Sequence, residues 1–160
     1  MPRFDEHGHL MPYSVVELTL PEFEAIFVDG LADQGHRRTL FEDYLRFVEE
    51  VKTAFDAPFY QWLAGSFITT KELPGDIDTV TFLPYDVVVK NAEQVNHFKS
   101  FGQDIYRVDA NFSPVCKWNH RFYESAQMWE TEYYDLYSRS RPDENFIRHP
   151  KGIIKISFGL

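Results

Sequence analysis

The sequence predicts a single α/β domain in which helices pack a small mixed β-sheet. Three observations carry that expectation. Short strand-like runs at 59–64, 79–83, 105–112 and 152–158 alternate with longer runs whose apolar residues recur at helical spacing. The 160 residues suit one domain, and 44% apolar with 17% aromatic content is enough for a real core. No linker, low-complexity tract or internal repeat divides the chain, so residues 1–160 are read as one unit. Its core motifs fall in 59–112, with a C-terminal helix and final strand in 118–160.

Taken in order, the turn-rich segment 4–12 reads as a surface crossing. Thr19, Pro21 and Glu22 form a capping box with proline in the first turn, predicting a short helix to about Val28. Gly30 to His36 reads as a loop. A longer helix follows from Arg38 to about Ala54, with Leu40, Tyr44, Phe47, Val48, Val51 and Phe55 on one stripe. Pro58 separates it from the strand 59–64. Pro84 ends the strand 79–83, and Asp86 beyond it reads as a turn residue.

Val95, Phe98 and Phe101 recur at helical spacing in 92–101. In 105–112, Tyr106, Val108, Ala110 and Phe112 share one face, leaving Ile105, Arg107, Asp109 and Asn111 on the other. The run 118–137 predicts a helix with the stripe Phe122, Ala126, Trp129, Tyr133 and Leu136. The final strand points Ile154, Ile156 and Phe158 inward.

The chemistry concentrates in 65–78. Gly65 and Ser66 follow a strand-like run, where glycine permits close backbone approach and clustered amides make an anion nest. Asp76 and Asp78 sit two apart, so on a strand both carboxylates face one side. Asp109, on the polar face of its own run, is positioned to join them. Oxygen-rich negative side chains beside a phosphate cradle suit a divalent cation and a nucleotide. The structural alternatives are a solvated turn for Pro74-Gly75-Asp76, a helix cap for Ser66 and a merely solvated Lys71.

This order resembles the signature of the DNA polymerase β-like nucleotidyltransferase superfamily: Gly-Ser, a spacer, Asp-apolar-Asp-apolar, then a third carboxylate from a neighbouring strand. The wider chain is similar to a set of small bacterial nucleotidyltransferase-fold proteins. It shares with them the segment 4–12, Arg37-Arg38, the run 65–71, the run 74–78 and Lys151-Gly152-Ile153-Ile154. The chain departs from better-known minimal members after Gly-Ser, where Thr69, Thr70 and Lys71 replace an Arg-Gly turn. The resemblance implies a nucleotidyltransferase fold that binds Mg²⁺ (or Mn²⁺) with an NTP such as ATP. It implies that Asp76 and Asp78 hold metal on the triphosphate and that Asp109 completes a second metal site. Gly65 and Ser66 would contact phosphates, and Lys71 would supply counter-charge. Lys151, Arg139 and Arg141 are further candidates to reach the triphosphate or acceptor.

Charge and composition narrow the partners. A net charge of −9 opposes extended duplex nucleic acid, which is held by Lys and Arg on phosphates. A protein or RNA-end acceptor is expected instead, with a partner protein or homo-oligomer also possible. No apolar run has membrane-spanning length, and the single Cys116 suits a reducing cytoplasm. The six histidines form no ligand set, His7 and His9 sharing the turn-rich segment and the others being dispersed, and Cys116 reads as a packing residue. The rival expectation is a non-catalytic interaction protein on the same fold, such as part of a toxin–antitoxin or phage-defence pair.

Overall fold

The computed structural model describes residues 1–159. A two-stranded antiparallel ribbon, β1 (Arg3–Phe4) and β2 (Leu10–Met11), opens the chain. Next come β3 (Val15–Glu17), α1 (Leu20–Glu24) with a π-helical turn over Ala25–Asp29, and the long α2 (Gln34–Phe55). β4 (Phe59–Ala64) leads through a 3₁₀ turn (Ser66–Ile68) to β5 (Ile77–Pro84), α3 (Tyr85–Lys90) and α4 (Ala92–Tyr106). β6 (Val108–Val115), α5 (Tyr123–Tyr137) and β7 (Ile153–Phe158) complete the fold. The main sheet runs β3-β7-β4-β5-β6. β4 is antiparallel to β7 and β5, whereas β3 with β7 and β5 with β6 are parallel pairs. The expected α/β domain with a small mixed sheet is what forms.

Alternation along each strand gives the sheet two unlike faces. One face carries Phe59, Leu63, Val108, Ala110, Phe112, Ile154, Ile156 and Phe158 into the main core, where Leu40, Tyr44, Phe47, Val48 and Val51 of α2 meet them. The inward Ile154, Ile156 and Phe158 and the apolar face of β6 match the sequence pattern. The other face sets Trp62, Val80, Phe82 and Ile153 under Tyr133, Tyr134 and Tyr137 of α5. No helix among the described residues is long and apolar enough to cross a membrane.

Several boundaries differ from the sequence expectations, each for a local reason. The capping box forms as read, with the Glu22 N–H donating to Thr19 Oγ1 at 3.3 Å. α2 begins at Gln34 rather than Arg38, because Asp33 precedes it and binds Arg37 Nε at 2.7 Å one turn on. α4 continues to Tyr106, so Ile105, Tyr106 and Arg107 lie outside the strand. Arg107 adopts φ 52° as the helix cap and its N–H reaches the Gln103 carbonyl at 3.0 Å. Phe101 is left exposed while Val95, Phe98 and Gly102 are buried.

α5 begins at Tyr123, leaving Trp118 82% exposed in the preceding turn. It packs through Ala126 and its tyrosines, so Trp129 and Leu136 stand out from the expected stripe. Asp86 lies in the first turn of α3, not in a turn. Pro84 is six strand positions beyond Asp78, about 20 Å along β5, so Asp86 stands at the far end from the acidic pair and is no substitute third acid.

Candidate active site

Parallel pairing of β5 with β6 sets Asp78 directly beside Asp109 in register, while on its other side Asp78 faces Ala64 at the end of β4. Asp76 precedes the first residue of β5. The chain leaves β4 through Gly65 at φ 75°, a conformation that L side chains rarely adopt. A Cβ on Gly65 would lie 1.6 Å from Asp78 Oδ2. Glycine is therefore required twice over, by the backbone and by the carboxylate packed on it. Gly65, Ser66, Lys71, Asp76, Asp78 and Asp109 all line one cleft of about 640 Å³. These six residues, read from the sequence, come together there.

The charges in this cleft are unbalanced. Burial, reinforced by Asp76 and Asp109, pushes the Asp78 carboxyl up to about 7. Burial and Asp109 also raise Asp76. Tyr137, whose hydroxyl accepts from Asn111 Nδ2 at 3.1 Å, is raised by burial and then by Asp78 and Asp109. Lys151 and Arg141 line the cleft, whereas Arg139 does not. Burial lowers Lys151, and Asp78 partly opposes that effect.

Among the described residues, no three His, Cys, Asp or Glu side chains are drawn tightly enough to hold a metal ion as they stand. The chemistry of the donor set nevertheless fits a hard cation: three carboxylates line one cleft, and one of them is pushed toward its protonated form by burial and then by its charged neighbours. A bound cation would relieve that repulsion.

The loop between β4 and β5 is clamped from α2. Fully buried Arg37 donates to the carbonyls of Phe27, Phe67, Thr69 and Lys71 and to Asp33 Oδ1. Asp33 Oδ2 accepts the Leu73 N–H at 2.9 Å, and His36 Nε2 meets the Pro74 carbonyl at 2.6 Å. The N-terminal ribbon adds a second support, its Gly8 carbonyl accepting the Thr70 N–H at 3.0 Å. The Arg37-Arg38 pair was visible in the sequence. The carbonyls of Phe67, Thr69 and Lys71 that Arg37 holds were not, because they lie about thirty residues downstream.

Among the histidines read as dispersed, His149 is drawn to His7 and His9. His7 and His9 line the cleft, and the His7 ring centroid lies 4.3 Å from that of His149, with His9 at 6.0 and 6.1 Å from the two. The sequence placed His7 and His9 in one turn-rich segment. His149 arrives from the far end of the chain, and nothing local signals it.

No curated protein and no solved structure matches the chain. A family model does match, over residues 2–157, which takes in the ribbon, the clamped loop, all three aspartates and the final strand. The chain belongs to that family, a family of unknown function (DUF6932).

Proposed function

We propose that the chain is a Mg²⁺-dependent nucleotidyltransferase that moves a nucleoside monophosphate from an NTP to an acceptor hydroxyl. The observation that supports this most is the register pair Asp78 and Asp109 on adjacent parallel strands, with Gly65 packed against the Asp78 carboxylate. In this reading Asp76 and Asp78 hold Mg²⁺ on the triphosphate, and Asp109 joins them on the acceptor side. Bound Mg²⁺ supplies neutralisation of the charge that builds on the attacking and leaving oxygens. Gly65, Ser66 and Lys71, at the β4 side of the cleft, take the phosphate tail.

The acceptor oxygen attacks the α-phosphorus, and the bond from that phosphorus to the bridging oxygen breaks. Pyrophosphate leaves in line, and the hydroxyl proton passes to the Asp109 carboxylate. The acceptor is a protein or RNA end, in the cytoplasm, rather than extended duplex, given the charge of −9. Label transfer from α-labelled NTP tests the reading, with cell lysate supplying acceptors. Asp109→Asn is expected to abolish transfer while NTP binding survives. Equal transfer by wild type and variant would remove Asp109 from its role, and no transfer by the wild type would favour a non-catalytic interaction protein.

A further inference from the structure

A second cavity, of about 510 Å³, opens between α3 and α5 over the outer strand β6. Its walls are aromatic and apolar, with Tyr85, Trp129, Tyr133 and Leu136 prominent. At its base lies Ser113, only 1% exposed, whose hydroxyl has no hydrogen-bond partner. A buried hydroxyl left unpaired costs stability, so its presence in a cavity whose other walls are aromatic and apolar, save for Glu132, points to a ligand that pairs with it. Trp129 and Leu136 are 41% and 56% exposed, a large apolar surface for a helix to leave uncovered.

The cavity and the acidic cleft flank the same face of β6. Asp109, Asn111 and Ser113 alternate along one face of β6, and their partners on β5 are Asp78, Val80 and Phe82. Tyr133 lines the cavity and lies close enough to Asp109 to feel its charge. In-line displacement places the attacking hydroxyl opposite the leaving pyrophosphate. With the phosphate tail at the β4 side, the acceptor must enter from the β6 side, where this cavity opens.

We propose that the cavity anchors a Trp or Tyr side chain of a protein acceptor, presenting a nearby hydroxyl of that protein to Asp109. This rests on the nucleotidyltransferase reading for the hydroxyl, but the anchoring itself does not. The polar tip of either ring pairs with Ser113, and the ring fills the aromatic walls. From Asp109 to Ser113 is four strand positions, about 13 Å, so extended peptide sets the anchor roughly four residues from the modified Ser, Thr or Tyr. Charge favours peptide over RNA, because α5 carries Glu124, Glu130, Glu132 and Asp135 with no Lys or Arg between Tyr123 and Tyr137.

The probe is N-acetyl-tryptophanamide, titrated without metal or nucleotide and followed by ¹H–¹⁵N NMR. The expected result is saturable shifts at Ser113, Tyr133 and the Trp129 indole. Ser113→Ala should bind the probe about threefold to tenfold more weakly while melting no lower than wild type, since it removes only the unpaired hydroxyl. Trp129→Ala should abolish the shifts. A single-stranded RNA dodecamer should not displace the probe. Displacement by that RNA, shifts confined to other residues, or equal affinity in Ser113→Ala would overturn the proposal. Probe binding alongside a failure to bind Mg²⁺-NTP would break the nucleotidyltransferase reading and leave the anchor standing. The converse result would break the anchor alone.

Discussion

The two faces of the central sheet treat polar groups in opposite ways. On the α2 side, each buried polar side chain has its partner. The Tyr44 hydroxyl donates to Gln61 Oε1 at 2.7 Å, Gln61 Nε2 donates to Thr81 Oγ1 at 2.9 Å, and Arg37 spreads its donors over four carbonyls and Asp33. On the α5 side the groups are mismatched: half-buried Asp76 and Asp78 share a cleft with exposed Asp109, and buried Ser113 has no partner. Paired buried groups hold a fold together, whereas unpaired ones cost stability and persist where a ligand completes them. The contrast separates scaffold from site without reference to any relative.

Substitution should therefore act with opposite signs on the two faces. The largest effect is expected from Arg37→Met, which strands four carbonyls and Asp33. Breaking so fully buried a charged network should cost roughly 3–5 kcal/mol, read by urea denaturation. A loss within 1 kcal/mol would show that the loop between β4 and β5 does not depend on this clamp. Tyr44→Phe leaves the Gln61 oxygen without its donor and should cost about 1–3 kcal/mol by the same assay.

Asp78→Asn should go the other way. It removes one of three crowded charges and should stabilise the metal-free protein on the order of 1 kcal/mol at pH 8. The sign with pH follows from linkage. The Asp78 carboxyl sits at about 7 in the folded chain, above its unfolded value, so between about pH 4 and 7 the folded state holds a proton that the unfolded state has lost. Stability from this group is lost as pH rises through that window. His9, held below its ordinary value by burial, pulls oppositely in the upper part of the same range. The difference between wild type and Asp78→Asn, followed by melting from pH 5 to 8, isolates the carboxylate. A difference that does not change with pH would mean that Asp78 is not strained.

The scaffold was legible wherever a local rule decided the outcome. The capping box at Thr19, the apolar stripe of α2, the inward residues of β7 and the opposed faces of β6 all follow from spacing alone. Gly65, Ser66, Asp76, Asp78 and Asp109 were legible as a group because an ordered motif, rather than any one residue, carried them. What escaped depends on distant partners. Arg107 ends α4 in a left-handed turn and pairs with Asp43 of α2, so the alternation through Ile105 and Tyr106 looked like strand although those residues are helical. Asp86 follows a proline and looked like a turn, yet Pro84 stands at the N-terminus of α3, just outside the first turn. The stripe assigned to α5 failed at Trp129 and Leu136, which helical spacing alone cannot tell apart from residues that pack.

The central claim, that the mismatched face exists to hold a metal-bound nucleotide, is tested most directly by melting the chain at pH 8 with Mg²⁺ and each NTP, separately and together. Wild type should gain about 2.7 kcal/mol at a hundredfold excess of Mg²⁺-NTP over its Kd, with little gain from NTP alone. Asp78→Asn should show no such gain despite its sturdier metal-free fold. An equal gain in Asp78→Asn, or no gain in wild type with any nucleotide and metal, would contradict the account.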